Sequence, residues 1–238
     1  MSQHERRSAA SILQSLKGRV IVSCQASSGD PLDHLDTLTR MAASVLRGGA
    51  GGLRAEGVER VTAFRGLTSL PIIGIVKTFD ANGEVYITAD FRSAESLSDV
   101  KADVIALDCT TRRLLSKEPW PGLIRRIHGE LGRPVCADIA TVEEGLAAAN
   151  AGADVVATTL YGYTVETSGA RAVSWTLLQA LTEQLDIPVI LEGHVTSPEQ
   201  VRRAFDLGVH SVVVGSAITR PETITARFVE ASLERSSR

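Results

Sequence analysis

Short apolar runs of three to five residues recur along the chain at 20–24, 52–54, 72–76, 104–107, 134–137, 154–158, 188–191 and 211–214. Runs this short, apolar at consecutive positions, read as strands buried on both faces. Helical patterns separate nearly all of them, as at 35–46. The clearest unit spans 187–221. Its first run ends at Glu192-Gly193, then Thr196, Ser197 and Pro198 open a helix, Gly208 ends that helix, and a second run stops at Gly215-Ser216. Residues 133–159 repeat the plan, with Pro134 matching Pro188, Asp138 matching Glu192 and Gly152 matching Gly208. Short strands alternating with helices pair in parallel, and eight of them in 238 residues predict an α/β fold, a single (β/α)8 barrel. One domain then spans 1–238, with 1–8 a flexible N-terminal tail and a helix over 9–16 capping one end of the barrel. An open doubly wound sheet ranks lower, because no GxGxxG follows the first strand.

In such a barrel the chemistry gathers at the C-terminal ends of the strands. Glu192 ends the seventh strand, and the small-residue turn Gly215-Ser216 after the eighth presents backbone N–H groups to an anion. Arg220 lies close by and adds charge to a phosphate site. A carboxylate beside an anion nest fits a phosphate-bearing sugar lying across neighbouring loops. Gln25 follows the first strand, where its amide orients a substrate hydroxyl or caps the loop. Arg54 ends the second strand, after glycines that permit tight packing. It binds phosphate or an oxygen near the reacting carbon, or forms an ion pair with Glu56 or Glu192. Lys77 ends the third strand and leaves an apolar wall, a setting that lowers a lysine pKa. Residues 78–88 form an insertion, read as a small hairpin or a loop over the site. Asp108 ends the fourth strand, to orient Lys77 or Arg112 or to touch substrate directly, and Asp138 ends the fifth. The sixth runs into Thr158-Thr159-Leu160-Tyr161-Gly162-Tyr163-Thr164, whose hydroxyls and rings suit a sugar or pack as a lid.

Composition narrows the partners. The chain is 44% hydrophobic and 22% charged, ordinary for a globular protein with one sizeable core. A net charge of −3 offers no broad basic field, so neither nucleic acid nor an anionic membrane is an expected partner. No apolar run approaches the roughly 20 residues that span a bilayer, and the N-terminus has no signal-peptide core, so a cytoplasmic location is expected. Cys24, Cys109 and Cys136 are odd in number and lack CxxC spacing, which reads as reduced thiols in or near the core.

The segments VSCQA (22–26), GLR (52–54), IGIVK (73–77), ALDCTTR (106–112), the strand end at Asp138, TTLYGYT (158–164), Glu192-Gly193 and VVGSAITRP (213–221) together resemble the N-acetylmannosamine-6-phosphate 2-epimerase family. The resemblance covers about residues 17–231, and TTLYGYT and ITRP are its specific parts. It implies a barrel enzyme, a homodimer, that interconverts N-acetylmannosamine 6-phosphate and N-acetylglucosamine 6-phosphate with no metal and no organic cofactor. It further implies that Lys77 and Glu192 are catalytic and that Gln25, Arg54, Asp138 and Arg220 support them. Thr159 and Tyr161 are candidate substrate contacts, and Gly193, Gly215, Ser216 and Arg220 candidate phosphate contacts. Two rivals predict different residues. A metal-dependent pentose-phosphate 3-epimerase needs clustered His and Asp at strand ends, whereas only His194 of the five histidines lies near one. A regulatory module that only binds sugar phosphate predicts that Lys77 and Glu192 are dispensable.

Overall fold

The computed structural model describes residues 8–80 and 83–233. The tail expected at 1–8 therefore lies outside them except for Ser8, whose side chain caps α1 (Ala9–Leu16) by accepting from the Ser11 N–H at 3.2 Å. The strands are β1 (Arg19–Ser23), β2 (Gly52–Glu56), β3 (Ile72–Ile75), β4 (Lys77–Phe79), β5 (Val85–Ile87), β6 (Val104–Asp108), β7 (Val135–Asp138), β8 (Val155–Ala157), β9 (Val189–Glu192) and β10 (Ser211–Val214). Eight of them close a parallel barrel in the order β1, β2, β3, β6, β7, β8, β9, β10 and back to β1. Each lies within two residues of an apolar run read from the sequence. The other two, β4 and β5, form an antiparallel hairpin that covers most of the insertion expected at 78–88 and begins one residue before it. One boundary is corrected: β3 stops at Ile75, and Lys77 opens the hairpin rather than ending a barrel strand.

Side chains alternate across each strand, which divides the core in two. Ile21, Ile73, Ile75, Val104, Ala106, Cys136, Val155, Ala157, Ile190 and Val213 form one buried cluster, joined by Ile12, Leu13 and Leu16 of α1. Their immediate neighbours, including Val22, Leu53, Ile72, Ile105, Leu107, Val135, Leu191 and Val212, form a second cluster with the helices. The first fills the barrel and the second lies outside it. Burying each valine, leucine or isoleucine among them contributes about 1.5–3 kcal/mol. The glycines before Arg54 are used as expected: a Cβ at Gly52 would lie 2.9 Å from the Pro71 carbonyl oxygen, and one at Gly51 would lie 2.5 Å from the Arg19 Cβ.

The same alternation aims the chemistry. Ser23 follows outward Val22, Arg54 follows outward Leu53, and Glu192 follows outward Leu191, so each takes an inward position at its strand's C-terminal end. Asp138 does the same after Ala137.

Around the barrel run α2 (Leu35–Arg47), α3 (Val58–Arg65), α4 (Phe91–Asp99), α5 (Trp120–Arg126), α6 (Val142–Asn150), α7 (Trp175–Gln184) and α8 (Pro198–Asp206), followed by short α9 (Ser216–Thr219) and α10 (Pro221–Leu233). The helix starts follow their sequence signals: Ser197 precedes α8 with Pro198 in its first turn, and its side chain accepts from the Gln200 N–H at 3.5 Å. In α10, by contrast, every residue is exposed or half-buried, and Phe228 is 75% and Leu233 64% exposed.

Candidate active site

Arg54 lies on the floor of the site, 1% exposed inside the barrel. It donates from Nη1 to Asp138 Oδ1 at 3.1 Å and from Nη2 to Oδ2 at 2.6 Å. Nη1 also lies 2.9 Å from Glu192 Oε2, an ion pair without hydrogen-bond geometry, and Arg54 Nε is buried without a partner. Asp138 accepts a further bond from Thr159 Oγ1 at 2.6 Å. The ion pair with Glu192 is one of the two that the sequence allowed. Glu56, the other candidate, pairs instead with Arg60, one helical turn on. Burial opposes the charge of Arg54, and Asp138 and Glu192 more than offset it, so its pKa is raised. Such a buried pair is costly to break from one side, by about 3–5 kcal/mol, because the remaining charge is left without compensation.

Glu192 is held through its backbone: Thr158 Oγ1 donates to its carbonyl at 2.8 Å and accepts from its N–H at 3.1 Å. Burial pushes the Glu192 carboxyl up to about 7; Arg54 opposes this and Asp138 adds to it. Lys77 is half-buried, and burial pushes its pKa down against the pull of Glu56, with Arg54 and Arg220 adding to the fall. Its backbone is fixed at the hairpin base. Thr88 N–H donates to the Val76 carbonyl at 2.7 Å, and the Val76 N–H donates to Thr88 Oγ1 at 3.2 Å. β3 and β9 stand four strands apart in either direction round the barrel, so Lys77 and Glu192 rise from opposite sides of its mouth.

Between them lies a cavity of about 520 Å³, within the size range of small-molecule sites. Gln25, Arg54, Lys77, Thr159 and Glu192 line it, as do Gly193, Gly215, Ser216 and Arg220. Gln25 Nε2 donates to Ser23 Oγ at 2.8 Å, and Arg220 Nη2 donates to Ser27 Oγ at 3.1 Å. Gly193 has φ +100°, a conformation that favours glycine, and Gly215 precedes α9. Three sequence candidates, Asp108, Asp138 and Tyr161, are not in the lining. Asp138 is fully buried and hydrogen-bonded to Arg54. Tyr161 packs against the outer core, edge-on to His194, whereas Tyr163 lines the cavity and stacks on the His194 ring at 5.6 Å.

Sequence reasoning passed over several lining residues. Ser23 was marked by its inward position at a strand end, and Arg227 by its place two helical turns after Arg220. Nothing in the sequence pairs Tyr163 with His194, because the contact joins the ends of two different strands. Asp108 holds Arg112, with Arg112 Nη2 donating to Oδ2 at 2.7 Å. Among the described residues no three His, Cys, Asp or Glu converge as a metal site.

Known proteins resemble this chain along most of its length. The model of a family described as "Putative N-acetylmannosamine-6-phosphate epimerase" matches residues 38–234. A protein of Clostridium perfringens (strain SM101 / Type A) named for the corresponding 2-epimerase is 42% identical over 219 residues, covering 92% of this chain and 99% of that one. One of Cutibacterium acnes with the same name is 44% identical over 222 residues, covering 92% and 96%. A solved structure of the N-acetylmannosamine-6-phosphate 2-epimerase from Clostridium perfringens superposes with a TM-score of 0.89 at 41% identity, covering 97% of this chain and 99% of that one. A thiamine phosphate pyrophosphorylase from Pyrococcus furiosus, at 18% identity and a TM-score of 0.62, shares the fold alone. With a family match and a relative of this identity both running through nearly the whole barrel, the chain belongs to the N-acetylmannosamine-6-phosphate epimerase family.

Proposed function

We propose that this chain inverts C2 of an N-acyl-hexosamine 6-phosphate, interconverting N-acetylmannosamine 6-phosphate and N-acetylglucosamine 6-phosphate. The observation that carries the reading is one cavity faced from opposite sides by a lysine with a lowered pKa and a carboxyl with a raised one, in a member of this family. Carbon acidity at C2 requires the open-chain aldehyde at C1. Lys77, neutral more readily than an exposed lysine, takes the C2 proton, and the electron pair of that C–H bond moves into an enolate at C1–C2. Glu192, protonated near neutrality, returns a proton to the opposite face of C2 or serves the ring oxygen during opening. Arg54 supplies positive charge next to Glu192, where negative charge develops. Gly193, Gly215, Ser216 and Arg220 hold the phosphate, Gln25 and Thr159 orient sugar hydroxyls, and Asp138 fixes Arg54. Tyr161 acts from behind the cavity by holding the His194 loop.

The chemistry needs neither a metal nor an organic cofactor, because a lysine, a carboxyl and a buried guanidinium supply base, acid and charge. The whole chain acts as one domain. Its partner is a second copy of itself, a reading supported by the helix α10, on which Phe228, Val229 and Leu233 are exposed among the described residues. A sugar-phosphate substrate and three unpaired cysteines agree with a cytoplasmic location. The test is incubation of EDTA-treated protein with N-acetylmannosamine 6-phosphate. Accumulation of N-acetylglucosamine 6-phosphate is expected. No product, or product only after a divalent ion is added back, contradicts the reading.

A further inference from the structure

Arg112 does not line the cavity, yet it grips the element that carries Lys77. In the hairpin, Ile87 pairs with Lys77 and Val85 pairs with Phe79, and both β5 residues line the cavity wall. Arg112 reaches this wall from the loop after β6. Its Nη2 donates to Asp108 Oδ2 at 2.7 Å and to the Val85 carbonyl at 2.9 Å, and its Nε donates to Thr110 Oγ1 at 3.2 Å. The guanidinium carbon lies 4.6 Å from the Tyr86 ring centroid, and Nη1 is 3.6 Å from the Glu84 carboxylate. The anchor is firm: Asp108 is 1% exposed, and its Oδ1 accepts from the Thr110 N–H at 3.1 Å and from Thr110 Oγ1 at 2.5 Å.

One planar fork thus joins a buried strand-end carboxylate to a main-chain carbonyl and a ring of the hairpin. The hydrogen bonds between Val76 and Thr88 fix the base of the hairpin, and Arg113 donates to the Ala89 carbonyl just beyond β5. Further out along β5, where the hairpin forms the cavity wall, Arg112 holds the Val85 carbonyl and lies closer over the Tyr86 ring than Arg113 does, at 4.6 Å against 5.6 Å. We propose that Arg112 is a positioning residue: it sets the hairpin, and with it the reach of the Lys77 ammonium nitrogen toward the substrate carbon. This rests on the reading of Lys77 as the base.

Misplacing a reacting group by about 1 Å costs on the order of 100-fold in rate. Arg112→Ala is therefore expected to lower kcat by about that factor and leave KM nearly unchanged, with kcat partly restored by added guanidinium at a non-denaturing concentration. Arg112→Lys keeps the Asp108 contact but cannot span to Val85 and Tyr86 as well, so its kcat should fall between the two. Rates are normalised to folded protein by circular dichroism. If Arg112→Ala does not accumulate folded, Tyr86→Leu takes its place. It removes the stacked ring and leaves the barrel contacts, so the same split is expected at smaller size. Wild-type kcat in these variants, or a raised KM at unchanged kcat, overturns the positioning role. Absence of epimerisation by the wild type would instead overturn the functional reading itself.

Discussion

Glu192 sits between influences that pull its proton in opposite directions. Burial and the Asp138 charge favour the neutral carboxyl, Arg54 favours the carboxylate, and the balance lies at about 7 against an ordinary 4.5. The folded protein therefore holds this proton more tightly than the unfolded chain does. The corresponding stability is fully present below pH 4.5 and is lost as pH rises through about 7. Glu192→Gln, neutral at every pH, should match the wild type in Tm below pH 4.5 and gain on it steadily up to pH 8, as read by calorimetry. A difference independent of pH would mean that folding leaves the proton affinity of Glu192 unchanged. At the rim, Arg220 has only the Ser27 hydroxyl as a hydrogen-bonded side-chain partner among the described residues, which leaves its charge for a ligand. A charge-assisted bond to phosphate is worth about 1.5–3 kcal/mol, so Arg220→Ala should raise KM roughly tenfold to a hundredfold with kcat little altered. An unchanged KM would move the phosphate to another part of the mouth.

At the scale of elements, the barrel strands were legible because each is a short apolar run closed by punctuation, and parity along the strand then decided which polar side chains face inward. Leu53 and Leu191 point out, so Arg54 and Glu192 point in. The hairpin was less legible. Its alternation is brief, and nothing in it distinguishes Lys77 at the end of β3 from Lys77 at the start of β4, a difference decided by Val76 bonding to Thr88. The last helix was legible as a helix but not as one with an exposed apolar face. Its apolar residues look like an ordinary packed face until the fold leaves Phe228 and Val229 in the open. If this face is covered by a second copy, Phe228→Glu should convert a dimer into a monomer in sedimentation experiments without loss of the barrel's circular dichroism. A wild-type monomer, or a dimer unaffected by the charge, would leave α10 with some other role.

At the scale of the whole molecule, closure of the barrel creates what no single segment contains. Arg54 and Asp138 belong to strands three steps apart in the barrel order, and their buried bidentate pair exists because both occupy inward positions near the same end. Sequence alone offered Arg54 partners close in the chain or on the recognised carboxylate, since the depth at which strands cross the barrel is not written in any one of them. Closure likewise sets Lys77 and Glu192 face to face across a cavity of about 520 Å³, which is the basis for assigning them to one carbon. The most direct test is proton NMR of N-acetylmannosamine 6-phosphate incubated in heavy water with the wild type, Lys77→Met and Glu192→Gln. The wild type should form the epimer and replace the C2 proton by deuterium. Lys77→Met should do neither while still binding the sugar phosphate, because acid–base loss alone costs roughly 10² to 10⁴ in rate. Glu192→Gln should exchange C2 without forming epimer if Glu192 serves the second face, and should lose both signals if it acts on the ring or carbonyl. Near-normal turnover and exchange in Lys77→Met would contradict the account.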